Sequence, residues 1–238
     1  MQKSITRVTR SHEEARSFYN RISRIYDFSE GMFEKKYKHR GLQKLSVCEG
    51  DVILEIGVGT GESVLEFAKL VGDSGKVYGV DISEGMLAVT HMKLRKANVL
   101  GRVELINTDA VLLPFTDGFF DAVFMSFTLE LFDTPEISKM LSECHRVLKK
   151  GGRIGIVSLS KKNDTGMSRM YEWFHGLFPK MLDCRPIFVE DALNDAGFTT
   201  QDASLIFMWG LSVEIIVGKK TFNRNHYVII PKFYSSDK

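Results

Sequence analysis

"VILEIGVGTGES", from Val52 to Ser63, is an apolar strand-like run that breaks into glycines at Gly57, Gly59 and Gly61. A strand that ends in glycines and gives way to a helix brings bare backbone up to a ligand at the carboxyl edge of a sheet. The dinucleotide fingerprint G-x-G-x-x-G would place its third glycine at position 62, inside the helix that receives the pyrophosphate. That position is Glu62. A carboxylate in the first helical turn suits the helix dipole but competes with a bound phosphate. Glu55 puts a second acid just before the loop. The loop therefore calls for a ligand that needs close backbone approach and carries positive charge.

S-adenosylmethionine meets that description, having a sulfonium, an ammonium and an adenosine but no phosphate. Two further acids point the same way. Asp81 ends the next strand, where a carboxylate can accept from both ribose hydroxyls, and Asp109 ends the third beside Ala110, within reach of an adenine amino group. Each residue has a plainer reading: Gly57 and Gly61 as turn glycines, Asp81 as a cap for a helix starting near Ser83, Asp109 as a loop cap. Their joint occurrence on successive strand ends favours the cofactor.

Outward from the loop, strand and helix alternate. "DVILEIG", "GKVYGVDIS", "RVELINTD", "FFDAVFMSF" and "RIGIVSLS" read as five strands, separated by helical stretches with apolar faces. Asp133, Thr134 and Pro135 open a helix, and "KKGG" closes it with Gly151 as the expected C′ residue. Short connections between alternating elements predict an α/β fold whose parallel sheet is covered on both faces. "TQDASLIFMW" and "LSVEIIVGKK" predict an antiparallel hairpin at the sheet edge. Residues 11–45 read as two helices, the first opened by a Ser11–Glu14 capping box, with "DFSEG" as the break.

The division expected is an N-terminal helical cover over 1–45, a cofactor-binding domain over 46–220 and a tail over 221–238. An aromatic-rich insert over 161–186, with Met167, Met170, Tyr171, Trp173, Phe174, Leu177 and Phe178, interrupts the domain. It reads either as a roof over an apolar acceptor pocket or as a core-facing amphipathic helix. With Phe28 and Phe33 it suggests an apolar small molecule as acceptor. Cover and insert together would form a movable lid that excludes water from the reaction.

"YNRISRIYD" (Tyr19–Asp27), "LEIGVGTGES" (Leu54–Ser63), "VYGVDISEGML" (Val77–Leu87) and "ECHRVLKKGGRI" (Glu143–Ile154) carry a resemblance to class I S-adenosylmethionine-dependent methyltransferases. Within these, the chain resembles the ubiquinone/menaquinone-biosynthesis group. The resemblance implies a Rossmann-like, seven-stranded, mostly parallel sheet with an antiparallel last strand. It also implies that Glu55, Gly57, Gly59 and Gly61 line the methionine part of the cofactor. Asp81, Ile82 and Met86 then hold ribose and adenine, Asp109 and Ala110 the adenine edge, and Ser126 and Phe127 the space beneath the sulfonium. Tyr26 and Lys38 match positions that reach the methionine carboxylate; the plain reading of Lys38 is a solvent lysine. After strand four the quinone-specific enzymes carry a glycine-rich, Asn-containing segment. This chain has "SFTLELFD" there, which points away from a quinone acceptor in particular.

Candidate catalytic residues are Glu130, at the carboxyl edge after strand four, and His175, in the insert. A solvated loop acid and a helix-surface histidine are their plain readings. His12, His39, His91, His145 and His226 show no partner pattern and receive no role. An NAD-dependent oxidoreductase is the alternative enzyme, disfavoured by Glu62 and by the lack of a Tyr-x-x-x-Lys pair. A non-catalytic relative of the fold is the other alternative.

Composition sets bounds around this reading. The 238 residues are 44% hydrophobic and carry a formal net charge of +2, which makes nucleic acid a poor default partner. The densest basic run, "KKYKHR" at Lys35–Arg40, reads mostly as a solvated helix face. Cys48, Cys144 and Cys184 are too scattered for a zinc site or a disulfide framework, and no metal is expected. No apolar run reaches the length of about 18 residues that a membrane span needs, nor does the start show an apolar leader core, so a cytoplasmic setting is the default.

Overall fold

The computed structural model describes residues 7–8, 10–29, 31–163 and 184–221, with backbone alone for 24–29 and 31–33. Two helices, α1 (His12–Ser29) and α2 (Gly31–Leu45), precede the sheet. There follow β1 (Val52–Ile56), α3 (Glu62–Leu70), β2 (Lys76–Asp81), α4 (Glu84–Lys96), β3 (Val103–Asn107) and β4 (Phe120–Ser126). The chain continues through α5 (Thr134–Val147), β5 (Leu148–Leu159), α6 (Val189–Asp195), β6 (Phe198–Met208) and β7 (Leu211–Lys220). The seven strands lie in one sheet in the order β3-β2-β1-β4-β5-β7-β6. Pairing is parallel from β3 through to β5, while β7 runs antiparallel to both β5 and β6. This is the Rossmann-like class I methyltransferase fold with its reversed last strand.

Strand composition explains the order. β1 and β4 are near-continuous apolar runs, and β7 is buried over Leu211–Gly218 with Ser212 and Glu214 included, because both faces are covered by helices. Phe67, Leu94, Leu45 and Tyr37, from α3, α4 and α2, form the core on one face. Ile137, Met140, Leu141 and Leu193, from α5 and α6, form it on the other. Gly41 lets α2 lie close on the sheet: a Cβ there would stand 2.4 Å from Val157 Cγ2. Cys144 is buried in this core.

Two boundaries differ from expectation. α5 ends at Val147, and Leu148 already pairs with Phe120, so "KKGG" is an irregularity inside β5 and not a helix stop. Ala122 pairs next with Arg153, which leaves residues 149–152 to loop out opposite Asp121; Lys149 Nζ donates to that carboxylate at 2.8 Å. The break at "DFSEG" is also narrower, because α1 runs on through Ser29. Both expected N-terminal caps form. Ser11 N donates to Glu14 and Glu14 N donates back to Ser11 Oγ, while Asp133 caps α5 with proline in its first turn.

The "ECHR" stretch has a structural task. Arg146 donates to Glu143, to Asp117 and to the carbonyls of Leu113 and Phe115, at 2.7–3.0 Å. One guanidinium thus ties the loop before β4 to the end of α5.

Candidate active site

The glycine loop takes its shape from β2. Gly57 N donates to Val80 O at 2.9 Å and Gly59 N donates to Asp81 Oδ2 at 3.0 Å, while Thr90 Oγ1 donates to Gly59 O at 2.9 Å. Gly57 has φ +72°, and a Cβ there would meet Thr128 Oγ1 at 2.4 Å, so the sequence has no alternative to glycine. Above the loop opens a half-open cleft.

The cleft is walled by the carboxyl ends of the strands, as an open α/β sheet requires. Gly57, Gly59, Asp81, Ile82, Met86, Asp109, Ala110, Ser126, Phe127 and Lys38 all line it. Three other residues expected at the cofactor stand differently. Glu55 is buried beneath the loop instead of lining the cleft, and burial lifts its carboxyl to about 8, partly countered by Lys38. Burial thus works against the negative charge read from the sequence at that position. Gly61 is the N-cap of α3 and packs on Thr90, away from the lining. Tyr26 lies on α1, its side chain outside the described residues.

Glu62 also behaves differently from expectation. It faces Lys93 at 3.2 Å and Lys35 at 3.5 Å at the start of α3, outside the cleft lining. It still occupies the position where the dinucleotide pattern needs glycine.

Asp81 has Oδ2 on Gly59 N and Oδ1 on Ser83 N, the latter at 2.8 Å. Burial lifts its carboxyl to about 6, against the pull of those backbone donors. It is therefore ionised at neutral pH, and it lines the cleft in position to accept further hydrogen bonds. Ser126 Oγ is buried at the end of β4 and has no hydrogen-bond partner, although Ser126 lines the cleft. An orphaned hydroxyl in a lined cleft is the mark of a group that a ligand satisfies.

On the strand-four side the wall is apolar, made of Ile56, Phe127, Leu131 and Phe132. Glu130 lies in the short 3-10 turn Leu129–Leu131, behind that wall and off the cleft lining itself, and is fully buried, not solvated. Its Oε1 accepts from Leu159 N at 3.2 Å and its Oε2 has no partner. Burial lifts the carboxyl to about 7, with Glu34 adding repulsion. His175 and the aromatic insert side chains lie outside the described residues. Among the described residues, no group of three or more metal-ligating side chains occurs, and no helix is long and apolar enough to cross a membrane.

Among the lining residues that escaped the sequence reading, two carry charge chemistry. His12, at the start of α1, turns one ring nitrogen to Asp109 and the other to Glu136 on α5. Glu34, on α2, pairs with Lys38 at 2.9 Å. Residues 3–185 match the ubiE/COQ5 methyltransferase family.

The chain belongs to that family. It is an S-adenosylmethionine-dependent methyltransferase acting on a small molecule; neither the oxidoreductase nor the non-catalytic alternative is favoured. The demethylmenaquinone methyltransferase of Geobacillus kaustophilus is 33% identical over 185 residues, 76% of each chain. The protein of the same name from Lactobacillus johnsonii is 30% identical over 183 residues, 75% of this methyltransferase and 74% of that one. A likeness in fold alone reaches the [4+2]-cyclase SpnF, with TM-score 0.74 and 17% identity over 92% of this chain and 99% of that one. A cyclase on this fold shows that the fold does not select the reaction.

Proposed function

We propose that this methyltransferase methylates the ring of an apolar, hydroxylated aromatic of the quinol type, with Glu130 as proton acceptor. The relatives named for demethylmenaquinone support that class of acceptor, and the apolar strand-four wall suits it. "SFTLELFD" keeps open a ring other than theirs. The observation that carries the reading is Glu130: a carboxyl lifted by burial to about 7, with one unpartnered oxygen, buried in the turn whose Thr128 and Leu131 line the cleft.

When bound, S-adenosylmethionine supplies an electrophilic methyl on a sulfonium. Gly57 and Gly59 let backbone approach its methionine end, Asp81 accepts from the ribose, and Asp109 with Ala110 reads the adenine edge. Phe127, Leu131 and Phe132 exclude water and hold the acceptor ring flat. Such positioning can supply roughly 7–11 kcal/mol. A carbon or hydroxyl acceptor must also lose a proton, and a base near the working pH is best matched to take it. Glu130 Oε2 takes that proton, and the apolar surroundings that raised its pKa also stabilise the neutral acid that results.

Transfer of labelled methyl to a panel of reduced quinols, phenols, thiols and amines tests the acceptor class. Glu130→Gln is expected to bind cofactor like the parent while turnover falls by about 10²–10⁴. Its rate should also lose the dependence on an ionisation near 7. Turnover of Glu130→Gln equal to the parent removes Glu130 from the chemistry, and transfer to thiols or amines alone removes the quinol reading.

A further inference from the structure

Glu34 and Lys38 sit one turn apart on α2, 2.9 Å from each other, and both line the cleft. Their side chains are only 14% and 22% exposed. A solvated i,i+4 pair contributes little to stability, which gives little reason to turn both charges inward. Two electrostatic neighbours indicate which end of the cleft they serve. Lys38 lies close enough to the buried Glu55, beneath the glycine loop, to lower that carboxyl. Glu34 lies close enough to Glu130 to raise its carboxyl. The pair therefore spans from the loop towards the end of β4, and among the described residues Lys38 is the single lysine or arginine that lines the cleft.

We propose that Glu34 is a cofactor-binding residue, which accepts from the ammonium of the methionine moiety while Lys38 donates to its carboxylate. An α-amino acid is a zwitterion with cation and anion on adjacent atoms, and the Glu34–Lys38 pair is its mirror in charge. Binding exchanges one ion pair for two, so neither protein charge is left unpartnered when the helix pair opens to admit the ligand. The inference deepens the cofactor reading above and rests on it.

Calorimetry with three ligands separates the parts. S-adenosylhomocysteine carries both charges, decarboxylated S-adenosylmethionine keeps the ammonium alone, and 5′-methylthioadenosine has neither. Glu34→Gln is expected to weaken the first two by about tenfold and leave 5′-methylthioadenosine unchanged. Lys38→Met is expected to weaken S-adenosylhomocysteine alone. Unchanged 5′-methylthioadenosine binding also reports that each variant keeps its fold. Equal weakening of all three ligands by Glu34→Gln would make Glu34 a structural residue and overturn the inference. Lost turnover with unchanged affinities would move it to the acceptor side, with the same effect. Failure of the parent to bind S-adenosylhomocysteine at all would instead overturn the cofactor reading.

Discussion

Cofactor affinity should depend on pH through His12, and the direction can be worked out from its neighbours. The imidazole is held between Asp109 and Glu136, with the Phe132 ring edge-on at 6.1 Å. Those carboxylates raise its pKa against the opposing effect of burial, so the latch is made by the imidazolium. If Asp109 accepts from adenine, the cofactor must displace His12 from it, and displacement releases a proton. A group whose pKa is raised in the latched state stabilises that state fully below its ordinary value of about 6.5 and loses the contribution as pH rises through the raised value. Affinity should therefore climb over that window and level off above it. All three side chains are about one-third exposed, at 33%, 34% and 33%, so each ion pair is partly screened. Two such pairs contribute about 1 kcal/mol, a change of about fivefold in dissociation constant. Asp81, lifted to about 6, titrates in the same range and also favours binding when ionised. The informative quantity is therefore the difference between parent and His12→Ala, measured by calorimetry from about pH 5.5 to 8.5 in buffers of differing ionisation heat. The variant should bind tighter at the acid end and match the parent at the alkaline end. The helix should stay in place without His12, because Arg7–Asp133, Arg16–Glu84 and Asn20–Gly85 hold α1 independently. Parallel curves for the two proteins would refute the latch.

Asp81→Ala should weaken cofactor binding by about 2–3 kcal/mol, by stranding two ribose hydroxyls and freeing the Gly59 amide; calorimetry on the folded variant checks it. Gly57→Ala forces both a positive φ and a clash with Thr128, so cofactor binding should drop below detection before the fold melts; near-parent affinity would misplace the loop. Gly41→Ala should lower stability by about 1–3 kcal/mol in denaturant titration, because its Cβ meets Val157 and Phe124, while leaving the cofactor constant nearly unchanged.

The parts legible in the sequence are those whose partners lie nearby in the chain. A strand, a glycine turn and a strand-end acid recur within a few residues of each other, so Gly57, Asp81 and Asp109 could be placed at one sheet edge from rhythm alone. The antiparallel hairpin showed in the same way, because only Trp209 and Gly210 separate β6 from β7. His12 gave no local signal: its two carboxylates lie 97 and 124 residues away. Glu34 was hidden inside a helix whose acid and lysine one turn apart look like ordinary surface pairing. Glu130 read as a solvated acid because a polar residue among loop-like neighbours usually is one. Its burial comes from β5, whose Leu159 amide lies 29 residues on. "KKGG" misled for a related reason, since a glycine pair marks a helix stop or an irregular strand equally well until pairing with Phe120 decides between them.

The position of β7 bears on how the chain is assembled during synthesis. Strands β1 to β5 precede β6 and β7 in the chain, and that part already contains the glycine loop, Asp81 and Asp109. The far edge of β5 is then bare until β7 arrives, because β7 slots between β5 and β6 and not beyond both. For an interval of about 50 residues, roughly 3–10 s at ordinary translation rates, Ile154, Ile156 and Val157 belong to an unpaired apolar edge. A nascent chain stalled in that interval holds most of its cofactor site and an adhesive strand at once. Early cofactor binding to the finished half, or a chaperone on that edge, would protect it until Leu211–Val217 closes the gap.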